Sequence, residues 1–307
     1  MRWIKGHFIL SCILIYALII VILGVVVWGN CRPFDMKLPI DFDGFTSIGS
    51  FIGGVFGTFF AALAVYYAYL TFRKDVIKSR FYEMLKQHNN NVKSISISGV
   101  DVFGKYIDLL SVIYASVQRE LSSPDDDNSP NNSYFKLAYF YFFYGSMLDA
   151  DEIISKIDIE EKQIKKMNDY FSTNNIKLYG HSKELGIYFR QLYQIITYIN
   201  DNKILEYREK YGYIKSLRVC LNLNEQYLLF LNSLSVLGDV WELSGEIEDE
   251  NKKLITKYNL VKNLPKSYND NFLKFKFESL YPHIDYEYYK GDDTRKKKRE
   301  EWEKQYS

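Results

Sequence analysis

The chain has 307 residues, 47% of them hydrophobic, and its 39 basic and 38 acidic side chains leave a formal net charge of +1 at pH 7. This composition excludes an intrinsically disordered chain, which would combine few apolar residues with a high net charge. It also disfavours, without excluding, a nucleic-acid partner, because nucleic-acid-binding domains are usually strongly basic. Three Cys in a chain of this length exclude a small secreted domain stapled by disulfides.

An uncharged apolar run covers residues 8–28 near the N-terminus. A helix of this length spans about 30 Å, which matches the hydrocarbon core of a bilayer. The run is longer than the apolar region of a signal peptide, and it ends in Trp28, a residue type enriched at the membrane interface. The pattern therefore predicts a retained first span rather than a cleaved signal sequence.

Residues 47–72 form a second uncharged run, which predicts a second span. Its end carries an aromatic cluster suited to the membrane interface: Tyr66, Tyr67, Tyr69 and Phe72. Basic side chains precede the first span and follow the second, whereas the loop at residues 29–44 has mixed charges. Since positive charge marks the cytoplasmic side, we expect a multi-pass protein with a short external loop and both termini cytoplasmic.

Small residues recur at every fourth position of the second span, at Gly49, Gly53, Gly57 and Ala61. Such a row lets two helix backbones approach closely in lipid, where packing drives association. The partner of the row is either the first span or the same row in a second copy, which would make a homo-oligomer. Lining of a pore is a third interpretation, weakened because no charged side chain lies in this span.

The remaining residues, 73–307, have a helical pattern with no alternating strand series and no repeat. One face of the first helix carries five apolar side chains and one His: Ile77, Phe81, Leu85, His88, Val92 and Ile95. No Gly or Pro separates this helix from the second span, so we expect the two to form one continuous helix.

Further helices are predicted over residues 102–121, 134–144, 152–171, 185–199, 204–221 and 224–244. The segment 134–144 is aromatic on every side, which indicates a fully buried helix. Asn224 suits the N-cap of the last helix in this series. Residues 122–133 contain two Pro and three consecutive Asp, which predicts a flexible loop.

The predicted fold is all-α: a two-helix transmembrane hairpin over residues 1–72, followed by a cytosolic helical bundle over residues 73–307. The charged tail at residues 290–307 contains a basic run at 295–299, directly followed by acidic side chains. A run of this kind is typical of a solvated helix face, and a contact with anionic lipid or nucleic acid is the alternative.

No established catalytic or metal-binding motif occurs in the sequence, because H-E-x-x-H, C-x-x-C, the P-loop and G-x-S-x-G are all absent. Helical ribonucleases of the HEPN type use an Arg shortly before a His, but the only such pair here is Arg2 and His7 at the membrane border. The sequence thus predicts no catalytic residue, no metal site and no cofactor. This disfavours an enzyme without excluding one.

Several short motifs follow one another in a recognisable order. A helix rich in Phe and Leu with a His occupies residues 80–92, a Gly-x-x-x-Phe element follows at 99–103, and a Tyr-Phe-Arg-x-Leu-Tyr segment lies at 188–193. An Arg-x-x-Leu region with a Glu and a downstream Asn covers residues 218–232. With the two spans, this order resembles the AbiC-type phage abortive infection proteins of bacteria over roughly residues 1–282. The motif positions, whose individual roles are unknown, are Phe81, Leu85, His88, Tyr188, Phe189, Arg190, Arg218, Glu225 and Asn232.

The resemblance implies antiviral defence at the bacterial cytoplasmic (inner) membrane, in which infected cells stop growing or die before phage is released. It implies no biochemical mechanism. We expect a sensor-effector that perturbs the membrane or an assembly on it, with the lipid bilayer, a phage-derived trigger or a neighbouring defence protein as partners. The alternatives are a membrane-tethered RNase or other nucleotide-directed hydrolase, and a membrane scaffold or signalling partner unrelated to phage.

One position departs from the family pattern, because Ile187 stands where a His is expected directly before Tyr188. Tyr188 and Phe189 fall on the expected core face of their helix, and Arg190 falls on the other flank. We expect Arg190 to form a buried ion pair with an acid such as Glu225, and contact with a partner is the alternative.

Overall fold

The computed structural model describes residues 42–96, 101–122, 132–146, 159–242, 253–270, 272–273, 276–289 and 291–306, together with Ile15 and Ile19. Its described residues form helices, turns and one isolated β-bridge, and they contain no strand. The predicted all-α class is therefore confirmed. The chain divides into two units, Met1–Leu70 and Thr71–Ser307.

The first helix, α1, runs without interruption from Phe42 to Ile95. The predicted continuous helix is thus confirmed, and it begins inside the segment expected to be the external loop. Within α1, the stretch Gly53–Ile95 is long enough, and in part apolar enough, to cross a membrane, and its apolar part is unburied. It is the one helix among the described residues that meets these conditions. Apart from Ile15 and Ile19, the first span lies outside the described residues, so the hairpin stays a prediction.

The row of small residues lies on an open face of α1. A Cβ atom added at Gly49, Gly53 or Gly57 would meet no atom of the described chain within 4 Å. Ala61 is exposed in the same helix. Among the described residues nothing covers this face, and the identity of its partner stays a prediction.

In the described part of the second unit, α1 is followed by six helices: α2 Val102–Leu121, α3 Asn132–Tyr144, α4 Glu161–Thr173, α5 Ser182–Asn200, α6 Tyr207–Cys220 and α7 Leu223–Ser233. Two short helices come next, α8 Leu254–Tyr258 and α9 Phe277–Leu280, and α10 Asp293–Glu303 is as long as α7. Four 3-10 turns complete the described elements: Val236–Trp241, Lys266–Asp270, Glu287–Tyr289 and Lys304–Tyr306. The predicted loop lies largely between α2 and α3, where residues 123–131 are outside the described part.

The centre of this unit is aromatic. Helix α3 is buried along nearly its whole length, from Tyr134 to Phe143, as the sequence predicts. Its rings pack edge-to-face against neighbours, for example Tyr141 against Phe171 of α4 at 5.0 Å between ring centroids. Complete burial of one such side chain contributes about 1.5–3 kcal/mol, so α3 is a main source of the core's stability.

The start of α7 differs from the prediction, because its N-cap is Asn222 rather than Asn224. The Asn222 side chain accepts a hydrogen bond from the Glu225 backbone N–H at 2.8 Å, and the Glu225 carboxylate accepts one from the Asn222 N–H at 2.9 Å. This reciprocal capping box needs an acid three residues after the N-cap. Of Asn222 and Asn224, only Asn222 has an acid at that position, Glu225. The helix also ends at Ser233, well before residue 244, and a 3-10 turn follows.

The charged tail is only partly a solvated face. In α10, Lys296, Lys297 and Lys298 are exposed, but Arg299 is 6% exposed. All five N–H groups of its guanidinium find acceptors: the Glu303 carboxylate, the backbone carbonyls of Thr256, Lys257 and His283, and the Tyr207 hydroxyl. The solvated-face interpretation is therefore wrong for Arg299, because the peptide carbonyls around α8 replace its water shell.

Candidate functional site

All nine family-motif positions lie in the second unit. All of them except Arg190 are buried: Phe81, Leu85, His88, Tyr188, Phe189, Arg218, Glu225 and Asn232. Buried positions are usually retained for packing, whereas an exposed position in a motif points to contact with something outside the chain. The motif is thus largely a signature of how the helices pack.

The part of α1 that follows Leu70 docks on α5 and α6. The ring of Phe81 lies 5.0 Å from the ring of Tyr213 in an edge-to-face arrangement. Further along, the Asn91 side-chain amide donates to the Gln191 side-chain carbonyl at 2.7 Å. The C-terminal turns of α1 are therefore an integral part of the helical core.

His88 is the most unusual group in this interface. It is 1% exposed, and neither ring nitrogen has a hydrogen-bond partner among the described residues. Burial lowers the pKa of His88 from 6.5 to about 4, so the imidazole is neutral at pH 7. A buried polar atom without a partner costs about 1–3 kcal/mol, which makes His88 a local weak point of the docked arrangement.

Tyr188 connects His88 to Glu225. Its ring lies 5.1 Å from the imidazole ring, and its hydroxyl donates to Glu225 Oε1 at 3.3 Å. Burial raises the pKa of Tyr188 well above 10, and the nearby Glu225 carboxylate raises it further. Burial also raises the pKa of Glu225, although the Asn222 N–H and the Tyr188 hydroxyl partly offset that effect.

An imidazole, a phenol and a carboxylate are the groups that general acid–base catalysis uses. Here, however, the His88 nitrogens have no hydrogen bond to the phenol, and all three side chains are buried. The cluster of His88, Tyr188 and Glu225 is therefore a packed joint between α1, α5 and α7. We refer to it below as the α1 joint.

The predicted buried ion pair between Arg190 and Glu225 is wrong. Arg190 is exposed, and its Nε donates to the Gly186 carbonyl one turn earlier at 2.9 Å. Two residues correspond to about 200° of rotation around a helix, so the inward direction of Tyr188 turns Arg190 outward. Glu225 therefore accepts its side-chain hydrogen bond from Tyr188 and not from Arg190.

Arg218 holds α6 to the end of α8. Its Nη1 donates to the carbonyls of Tyr258 and Asn259 at 3.1 and 2.9 Å. Asn259 has a φ of 52°, in the left-handed region that Asn tolerates better than most residues. The buried guanidinium thus stabilises a helix end whose carbonyls would otherwise lack partners.

Asn232 is a structural amide at the centre of the core. Its Nδ2 donates to the Tyr139 hydroxyl at 2.9 Å, and its Oδ1 accepts from Trp241 Nε1 at 2.9 Å. Both ends of the amide are satisfied, so Asn232 links α3, α7 and the 3-10 turn that carries Trp241. Sequence reasoning selected this position through the family pattern alone, because no local signal reveals such a contact.

In the described part of the chain, no group of three His, Cys, Asp or Glu side chains could hold a metal ion. The sequence did not predict the roles of two structural residues, Asn222 and Arg299. Asn222 had a readable signal, the Glu225 that lies three residues later. Arg299 had none, because its partners are carbonyls distant in sequence.

Residues 180–268 match the family described as "Putative phage abortive infection protein". This match confirms the AbiC-type resemblance and covers α5 to α8, including Tyr188, Arg218, Glu225 and Asn232. The motif positions of α1, among them His88, lie outside the matched segment. No curated protein and no solved structure matches the chain.

Proposed function

We propose that the chain acts in antiviral defence by abortive infection and that α1 anchors it in the bacterial inner membrane. The observation that carries this proposal is the family match over residues 180–268, whose buried core receives the end of α1 at the α1 joint. Helix α1 thus contains the apolar stretch and also packs against the segment that matches the family.

The proposed mechanism is that of a sensor-effector. A phage-derived trigger or a neighbouring defence protein binds the helical unit and loosens the α1 joint, and α1 then changes its packing in the lipid. The unpartnered nitrogens of His88 support this step, because a loosened joint would return them to water and lower the cost of opening. Exposed Arg190 is the motif position best placed to contact such a trigger.

The membrane arrangement in the proposal is a two-span hairpin with both termini cytoplasmic. The basic side chains that follow the apolar part of α1, beginning with Arg73 and Lys74, support this orientation. The open face at Gly49, Gly53 and Gly57 supports self-association or packing against the first span.

The test is expression in a bacterial host, infection with a panel of phages, and measurement of plating efficiency beside a membrane-potential dye. We expect reduced plating together with depolarisation of infected cells. Phe59→Arg, which places a charge in the apolar part of α1 at a cost of about 2.5–3.5 kcal/mol, should abolish both effects. Tyr82→Arg is the matched control, because Tyr82 is also an exposed aromatic residue of α1 but lies beyond the apolar part.

The outcomes separate the competing functions. Full protection without depolarisation would contradict the membrane effector and favour a membrane-tethered hydrolase. Unchanged plating across the whole panel would contradict defence and favour a scaffold or signalling role. Protection that survives Phe59→Arg would contradict the requirement for the membrane.

A further inference from the structure

A cleft of about 450 Å³ opens beside the starts of α2 and α7 and the 3-10 turn Lys266–Asp270. Its lining includes Gly104, Asp108, Asn224, Tyr227, Tyr268 and Phe272. This volume falls in the range of small-molecule sites, about 300–1,000 Å³. No family-motif position lines the cleft, so the inference drawn from it is independent of the proposed function.

Aromatic rings form the walls of the cleft. The rings of Tyr227 and Tyr268 lie 5.0 Å apart between centroids, at an angle of 89°. Phe272 adds a third ring to the lining. The two rings contact each other edge to face, and Tyr227 is 2% exposed, so Tyr227 backs the partly exposed ring of Tyr268. Because aromatic faces attract cations, this arrangement favours a compact positive group.

The charged group in the described lining is the carboxylate of Asp108. The Asp101 carboxylate lies close by, where its Oδ1 accepts from the Gly104 N–H at 3.0 Å and its Oδ2 accepts from the Asn224 amide. Asn224 is fixed at its other end by the Tyr268 hydroxyl at 3.2 Å. A cleft with an aromatic wall, acidic groups and a pre-arranged frame is suited to a cationic ligand.

The frame depends on a glycine. A Cβ atom at position 104 would lie 2.7 Å from Asp101 Oδ2 and 3.2 Å from Asn224 Nδ2. Any larger residue would therefore displace the groups that hold Tyr268 in place. The absence of a side chain at Gly104 lets the start of α2 approach Asn224 closely.

Tyr227 supplies an independent observation. Its side chain is 2% exposed, and its hydroxyl has no hydrogen-bond partner among the described residues. Buried hydroxyl groups normally have a partner, and Tyr227 is one of the residues that line the cleft.

We propose that this cleft binds a small organic cation, a guanidinium or ammonium group at the end of a short alkyl chain. Asp108 pairs with the charge, and the partly exposed rings of Tyr268 and Phe272 lie beside it. Binding gives the positive group both an ionic partner and aromatic faces, which together exceed what an exposed carboxylate offers alone.

The experiment is calorimetric titration of the full chain in detergent micelles at low salt. The probes are propylguanidinium chloride and butylammonium chloride, with neutral propylurea as the isosteric control. We expect saturable one-site binding of at least one cation and at least tenfold weaker binding of propylurea. Asp108→Asn should weaken cation binding about fivefold, the upper end for an exposed ion pair. Asp169→Asn, an exposed carboxylate of α4 distant from the lining, is the matched control and should change nothing.

A second pair of variants tests the aromatic wall of the cleft. Tyr268→Leu should weaken cation binding, whereas Tyr268→Phe keeps the ring and should retain most of it. The proposal is overturned if a folded wild-type chain shows no saturation up to about 10 mM of either cation. Equal affinity for propylurea, or an equal loss in Asp169→Asn, would also overturn it.

Discussion

The ring of His88 lies 5.1 Å from the ring of Tyr188, and the hydroxyl of Tyr188 reaches Glu225. Three motif segments that are distant in sequence thus meet through one tyrosine. The partner-free imidazole and the buried carboxylate are both less stable than they would be in water. The α1 joint is therefore held by specific ring packing, but its buried polar groups lower the stability of the closed state. This combination is suited to a contact that opens.

We expect the stability of the helical unit to fall as the pH decreases from about 6.5 to 4. The pKa of His88 is about 4 in the folded chain and 6.5 in the unfolded chain. As the pH falls, the unfolded chain therefore binds a proton at His88 before the folded chain does, and this binding favours unfolding. The free energy of unfolding falls by about 3 kcal/mol across this window, and above pH 6.5 His88 has no effect on its pH dependence. Urea denaturation over a pH series measures it. A wild-type profile that runs parallel to that of His88→Leu would contradict this assignment.

We expect His88→Leu to raise the free energy of unfolding at pH 7 by about 1 kcal/mol. Leu has a similar volume and removes two unpartnered nitrogens from the core. Under the proposed mechanism the same substitution should weaken phage protection, because it favours the closed joint. Denaturation and plating efficiency measured on one variant test both statements. Lower stability than wild type would show that the imidazole has a favourable interaction after all.

We expect Tyr188→Phe to cost about 0.5–1.5 kcal/mol, the net value of one buried hydrogen bond. Arg190→Ala should change stability by less than about 0.5 kcal/mol, because the side chain is exposed and its polar contact is local. Chemical denaturation distinguishes the two. If Arg190→Ala nevertheless abolishes protection while the fold is intact, the residue acts through a partner. A loss of stability similar to that of Tyr188→Phe would revive the buried ion pair.

We expect Arg299→Ala to destabilise the chain by about 2–4 kcal/mol, because several buried acceptors lose their donor at once. Arg299→Lys should recover only part of this, since an ammonium cannot reach all the acceptors of a planar guanidinium. Lys297→Ala, in the same basic run but exposed, should stay within about 0.5 kcal/mol of wild type. Thermal unfolding of the three variants provides the comparison. Equal effects at positions 297 and 299 would contradict the buried anchor.

The sequence allowed prediction of the features that depend on local patterns. The continuity of α1 follows from the absence of Pro after the apolar stretch, and the burial of α3 follows from its aromatic residues on every side. The core directions of Tyr188 and Phe189 follow from helical periodicity in α5. Each of these rests on neighbours in the chain, which the sequence displays directly.

The remaining features depend on tertiary contacts. The carbonyls of Thr256 and Lys257 determine which basic side chain of the run at 295–299 becomes buried. The true partner of Glu225 was likewise decided by the orientation of α5. Helical spacing places Arg190 on a flank, but it does not say whether that flank faces protein or solvent.

The buried position of Trp241 gives the fold an optical reporter. Its indole N–H is bonded to Asn232, so its emission should move to longer wavelength when the matched family segment opens. Trp302 stacks on His283 at 6.1 Å, beside Arg299, and should respond instead to release of α10. With Trp3 and Trp28 replaced by Phe, a chain that keeps only Trp241 would follow the core, and a chain that keeps only Trp302 would follow the C-terminal helix.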